Sequence, residues 1–493
     1  MRLTRRSFLH RSIAGGTAVA AGRLLPACGS GSDDGTPAPV SQSRPLKIPP
    51  IFEGSAIAAA RMSAELRPGV PTELWTFGGS FPGPTIRVRR GDSFRVDLDN
   101  QLDEPTNIHW HGLTTPADMD GHPRDVVAPG ASRAYAFPIL NRAGTYWYHP
   151  HPHGATAKQV YLGMAGFFIV EDDEEQALEL PRDERDVPLL IQDRRFTSGV
   201  FSYQPTEPDV ANGYVGETIF ANGVPNAHFE VEAGLYRFRI LNGSNGRTFM
   251  LRFADGRTFQ LIGTDGGLLD APIAATELWL SPAERVDVLA DFSSDPLGTS
   301  IALMSESFMV GAAEGGAHGG GAHGPAAGVV RQGARLQLLR LDIKRAASSA
   351  LVVPSSLSTV ERMDRNAAAR TRPFELSPRE GAASGLHVIN GKVFDVARVD
   401  EQPPFGEIEI WRVQSRDDVS IHPMHVHGAQ FQVLSRSTDA LPTDRGWKDT
   451  VLVFPLETVE LIVRFADYRG LYLFHCHTLE HEDDGMMLNV EVV

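Results

Sequence analysis

The chain has 493 residues, 42% of them hydrophobic and 22% charged, with a formal net charge of −15. That length suits about three domains with well-buried cores, and the acidic balance disfavours nucleic acid, whose binding needs basic groups to release counterions. Two cysteines against 17 histidines exclude a disulfide framework, a cysteine-rich zinc module and an iron–sulfur centre.

The N-terminus reads Thr4-Arg5-Arg6-Ser7-Phe8-Leu9-His10, followed by a weakly apolar run from Ser12 to Leu25. Paired arginines before such a run predict a Tat-type export signal over residues 1–27. The run is too short and too rich in Gly and Ala to span a membrane as a stable helix. Leu25-Pro26-Ala27-Cys28 resembles a bacterial lipobox, which predicts a lipid anchor at Cys28. Simple cleavage near Ala27, with Cys28 lost or free, is the alternative. Residues 28–45, rich in Gly and Ser, are expected to form a flexible tether. The expected location is outside the cytoplasm, in the periplasm or cell envelope.

From about residue 46 the chain alternates polar and apolar residues in short runs such as Ser93-Phe94-Arg95-Val96-Asp97-Leu98. Gly, Pro, Asn and Asp separate the runs, a pattern of antiparallel strands in sandwiches or barrels. There is an internal repeat. Gly144-Thr145-Tyr146-Trp147-Tyr148-His149-Pro150-His151 matches Gly470-Leu471-Tyr472-Leu473-Phe474-His475-Cys476-His477, and upstream His109-Trp110-His111-Gly112 matches His425-Val426-His427-Gly428. A duplicated β-domain at the two ends accounts for it. The expected division is a first domain over 46–172, a second without histidine pairs over 186–345, a crossover over 346–385 and a third domain over 386–493. The Gly/Ala segment 311–328, with His318 and His323, reads as a surface loop, with weak metal collection as the functional alternative.

Twelve of the 17 histidines lie in 109–153 and 422–481, eight of them in four H-x-H pairs. In a strand, residues i and i+2 face one side, so each pair presents two imidazoles together. Nothing in sandwich packing requires imidazole at all eight positions. Cys476, between His475 and His477, points by the same alternation to the opposite face. One strand can therefore serve a metal through sulfur on one side and a second centre through two imidazoles on the other. His422, Cys476, His481 and Met486 make up two imidazoles, a thiolate and a thioether, the donor set of a blue-copper electron-transfer site. Zinc would accept the cysteine and histidines but has no use for the thioether.

With these four motifs the sequence resembles the three-domain multicopper oxidases, nearest to bacterial laccases and copper-efflux oxidases. Further similar stretches are Val187–Arg194, Ile389–Asp395 and Gly446–Val451. The resemblance implies an all-β chain of three cupredoxin-like Greek-key β-sandwich domains binding four copper ions. It implies type 1 copper at His422, Cys476, His481 and Met486, and type 2 copper at His109 and His427. The type 3 pair falls to His111, His149, His151, His425, His475 and His477. The implied reaction is one-electron oxidation of a small reducing substrate coupled to reduction of O2 to water. Oxygen reduction consumes protons, so Glu482 and Asp120 are proposed as proton relays, with solvated loop carboxylates as the plain alternative. Asp418 is a candidate proton acceptor or cuprous-ion ligand beside His422, His153 is expected to stand behind the ligating imidazoles, and His122, His228 and His387 have no assigned part. Residues 346–388 contain only Met363, whereas copper-efflux oxidases commonly carry a Met-rich insert there. This favours phenols or aromatic amines over cuprous or manganous ions as donors. A copper-free binding relative is the competing class, and the twelve filled ligand positions argue against it; a two-domain nitrite reductase is disfavoured by length.

Overall fold

The structure, a computed structural model, describes residues 43–67, 69–197, 200–309, 331–379 and 386–493. The export signal, Cys28, most of the tether and the 311–328 segment lie outside them.

The first sandwich packs two four-stranded sheets. One has Val70–Phe77, Ala56–Arg67, Ser93–Asn100 and Ser132–Pro138 in that order, and the other Gly83–Arg89, Gly166–Glu171, Gly144–His149 and His109–His111. In Ser93–Asn100 the apolar residues Phe94, Val96 and Leu98 point inward and their neighbours outward. Trp110 lies in that core, with Phe94 edge-on at 5.3 Å.

The middle sandwich has a six- and a seven-stranded sheet between Arg44 and Ala346. The third has the five-stranded sheet His387–Ile389, Arg370–Pro378, Ile408–Ser415, Thr458–Arg464, Phe431–Arg436. Against it packs the four-stranded sheet Thr450–Val453, His422–Val426, Gly470–Cys476, Met487–Val492. Trp411, Phe374 and Phe474 centre this core, the first two with ring centroids 4.8 Å apart.

Two features differ from the reading of the sequence. Not every neighbour is antiparallel: Ala56–Arg67 runs parallel to Ser93–Asn100, Asp186–Arg194 to Leu235–Asn242, and Arg370–Pro378 to Ile408–Ser415. Alternation specifies which face a residue takes, not the direction of the neighbouring strand, and the crossovers of Greek-key connections set that direction. The third sandwich also begins inside the stretch expected to be a crossover. Arg370–Pro378 is a strand of its sheet with only Phe374 and Leu376 buried, too sparse an apolar pattern to stand out among Arg and Pro.

The repeated segments occupy equivalent places. His109 lies opposite His149 in the first sandwich, and His425 opposite His475 in the third. The imidazoles of the two sandwiches meet face to face, with His109 stacked on His427 at 3.8 Å and His111 on His425 at 3.7 Å.

Candidate metal centre

The structure gathers the sequence-derived metal residues into two groups joined by Gly470–Cys476. The first group is His422, Cys476 and His481, with Met486 beside them in the third core. Cys476 Sγ lies 3.7 Å from His422 Nδ1 and 3.6 Å from His481 Nδ1. The intervening loop folds back, since the Cys476 N–H donates to the Met486 carbonyl at 3.1 Å. His481 sits in a single helical turn, Leu479–Asp483, and its Nε2 donates to the Ala211 carbonyl of the middle sandwich at 3.0 Å. That bond leaves the Nδ1 lone pair facing sulfur.

Burial governs the protonation of this group. It pushes the Cys476 thiol up to about 12 and His422 down to about 4. It also holds His481 well below the ordinary imidazole value. Two neutral nitrogens and a soft sulfur, dry and converging, suit a copper or other soft ion.

The second group is a cage of eight buried imidazoles, four from each outer sandwich: His109, His111, His149, His151, His425, His427, His475 and His477. Outer nitrogens are held by fixed acceptors. His109 Nδ1 donates to the Asp120 carbonyl at 2.7 Å, His149 Nδ1 to that of Pro150 at 2.9 Å and His425 Nδ1 to that of Asp449 at 2.9 Å. His475 Nδ1 faces the Cys476 carbonyl at 3.1 Å, and His427 Nδ1 donates to Asp120 Oδ2 at 2.7 Å. His111 is turned the other way: its Nε2 donates to Asp449 Oδ1 at 3.0 Å and its Nδ1 faces His149 at 3.3 Å.

The inner nitrogens then meet as lone pairs. His109 Nε2 lies 3.3 Å from His425 Nε2, His151 Nε2 3.3 Å from His475 Nε2, and His427 Nε2 3.0 Å from His475 Nε2. Neither ring nitrogen of His477 has a hydrogen-bond partner. Desolvation, then mutual repulsion, holds His111, His151, His425 and His427 well below the usual imidazole range. Lone pairs converging without protons between them are what a cluster of cations would satisfy.

The two proposed relays lie behind this cage and are buried. Glu482 places Oε1 3.4 Å from His151 Nδ1 and Oε2 3.3 Å from His475 Nδ1, and neither oxygen is hydrogen-bonded. Burial pushes the Asp120 carboxyl up to about 8. The other polar residues read from the sequence are placed differently. Asp418 is exposed, and it is the neighbouring Asp417 whose Oδ2 comes within 3.6 Å of His422 Nε2. In the turn after Ile408–Ser415 the backbone, not the sequence spacing, decides which carboxylate faces inward. His153 is exposed, its ring 5.0 Å from that of Phe394 rather than against a cage imidazole. His122 donates to Asn489 Oδ1 at 2.8 Å, and His228 pairs with Ser43 Oγ at 3.0 Å.

Sequence reasoning missed the charges that hold the cage from the middle sandwich. Asp449, which fixes His111, is clasped by Arg285 at 2.8 and 2.5 Å. Arg285 lies 3.7 Å from Asp265, and Lys448 Nζ lies 2.9 Å from Asp265 and 3.0 Å from Glu284. Burial opposes the charge on Arg285, but Asp449 and Asp265 outweigh it and raise its pKa. The Gly446–Val451 stretch was a signal for Asp449; nothing local pointed to Arg285. It also missed His387, which packs beside both imidazoles of the sulfur group.

Family models described as multicopper oxidase match residues 59–175, 192–310 and 353–493. A laccase of Bacillus stratosphericus is 31% identical over 86% of this chain and 91% of its own. The chain belongs to the multicopper oxidase family. A multicopper oxidase of Staphylococcus haemolyticus is 31% identical over 84% of this chain and 83% of its own. Cell division protein FtsP of Dickeya dadantii is 34% identical over 98% of both chains. The crystal structure of McoA multicopper oxidase from Aquifex aeolicus superposes with a TM-score of 0.81 at 35% identity, covering 92% of this chain and 99% of that one. Membership of the multicopper oxidases implies copper binding, and the two histidine groups fit metal sites.

Proposed function

We propose that this multicopper oxidase is laccase-like. His422, Cys476, His481 and Met486 would hold a type 1 copper that would accept single electrons from phenols or aromatic amines. The eight-imidazole cage would hold a trinuclear copper cluster, which would supply the reduction of O2 to water. Four donors each lose one electron and one proton, and one O2 takes up all four of each to give two waters. The observation that carries this reading is the His475-Cys476-His477 link. One peptide segment belongs to both groups, so electron entry and oxygen reduction are joined covalently.

Bound copper would supply one-electron acceptance at the sulfur group and O2 reduction in the cage. The chain's own residues do the rest. Carbonyls and carboxylates on the outer nitrogens of His109, His111, His149, His425, His427 and His475 fix which nitrogen of those six imidazoles faces inward. The packed strands keep bulk water out of both groups. Glu482 lies behind His151 and His475, and Asp120 behind His109 and His427, where they can hold and pass on the protons that oxygen reduction consumes. The scarcity of Met in residues 346–388 supports an organic donor over a cuprous or manganous ion.

The test is copper content and absorbance, with oxygen uptake by copper-loaded protein given Cu(I), a dimethoxyphenol or Mn(II) in parallel. About four coppers per chain, a thiolate-to-copper band and fastest uptake with the phenol are expected. Fastest uptake with Cu(I) or Mn(II) would assign a metallo-oxidase instead. The full-length likeness to FtsP favours one second reading, a binding protein without turnover. Absence of both copper uptake and oxygen uptake with any donor would establish it. We also infer export through residues 1–27 and lipid attachment at Cys28, tested by labelling with a fatty-acid analogue; an unlabelled protein would refute the anchor.

A further inference from the structure

His387 belongs to no ligand set, yet it packs against both imidazoles of the sulfur group. Its ring centroid lies 4.2 Å from that of His481 and 4.9 Å from that of His422. Its Nε2 donates to Asp417 Oδ2 at 2.7 Å, and the same oxygen lies 3.6 Å from His422 Nε2. The other oxygen of Asp417 accepts the backbone N–H groups of Val419 at 2.7 Å and Ser420 at 3.0 Å. His387, Asp417 and His422 are all buried.

One carboxylate oxygen is therefore shared unequally between two imidazoles. His387 takes the hydrogen bond, and His422, which faces sulfur through Nδ1, is left with a long contact on its outer edge. The second imidazole has a different support, since the acceptor of His481 Nε2 is the neutral carbonyl of Ala211. A carboxylate on the outer nitrogen of a ligating histidine makes the ring a stronger donor, which favours oxidised over reduced copper. A carboxylate already satisfied by three N–H donors does this less.

We propose that His387 is a positioning residue of the sulfur site: by engaging Asp417 it withholds that carboxylate from His422 and keeps the site a readier electron acceptor. The role rests on the copper reading of this site.

The test is redox titration of the thiolate-to-copper band in fully loaded protein. His387→Phe keeps an aromatic ring but cannot donate to Asp417. It is expected to shift the oxidised-to-reduced ratio at fixed mediator potential about tenfold toward oxidised copper, a fall of about 59 mV for a one-electron couple. His387→Gln keeps an N–H donor and should stay within about threefold of the parent. Asp417→Asn should shift the ratio the other way, and in that background His387→Phe should add nothing, because the two groups act as one unit. An unmoved potential in His387→Phe, or an equal shift in the Asp417→Asn background, overturns the proposal. Should His387→Phe not fold, Asp417→Asn decides: no rise in potential overturns it. A parent protein with no band at all instead overturns the copper reading on which it stands.

Discussion

Copper loading at the sulfur group should release one proton, and the structure says from which atom. In the copper-free chain burial pushes the Cys476 thiol up to about 12 and His422 down to about 4, with His481 well below the ordinary imidazole value. Between pH 6 and 8 the thiol therefore carries its proton and both imidazoles are bare. On the copper reading, binding displaces the proton from Sγ, because the thiolate would be the ligand. The apparent association constant should rise about tenfold per pH unit, or about 2.7 kcal/mol over the two units, since one unit is worth about 1.36 kcal/mol. The assay is titration against a chelator of known pH-dependent affinity, read by the thiolate-to-copper band. A flat profile would mean a preformed thiolate and would refute the reasoning. The sign for stability is also fixed. The folded thiol lies above its ordinary value of 9, so its neutral form supports the copper-free fold up to about pH 9. That support is lost as the pH rises toward 12.

Cys476→Ser should abolish the band and oxygen uptake while leaving far-UV circular dichroism unchanged, because it replaces one small buried side chain in an intact strand. Glu482→Gln should keep the band but slow reoxidation of reduced enzyme by O2 about 10²- to 10⁴-fold, the usual worth of a positioned proton donor; unchanged reoxidation in stopped flow would remove its role. Arg285→Met leaves the Asp449 carboxylate buried without its partner and should cost about 3–5 kcal/mol in a urea unfolding curve. A cost near zero would show that the ion pair is not what holds His111.

The candidate ligands were legible because strand geometry is local. Alternation places His475 and His477 on one face and Cys476 on the other whatever the rest of the chain does. The repeat Gly144–His151 against Gly470–His477 likewise announced two equivalent β-domains. The family resemblance pointed to Asp120 and the neighbouring His481 to Glu482, but neither pointed to their burial, which depends on the two outer sandwiches closing over them.

Spacing failed where one residue had to be chosen over its neighbour. Asp418 is four residues before His422, yet Asp417 is the carboxylate that turns inward, held by Val419 and Ser420 N–H groups. It also failed for partners distant in the chain. Arg285 reaches Asp449 across 164 positions, and His387 meets His422 and His481 only because the strand His387–Ile389 lies at the edge of the third sandwich.

By itself the sequence determined the candidate imidazole pairs, their placement along strands and the sulfur–imidazole link, all consequences of a two-residue repeat. Only the tertiary structure decided which charges stand behind those donors. Electrostatic interaction depends on distance through space in a dry interior, and chain separation does not encode that distance.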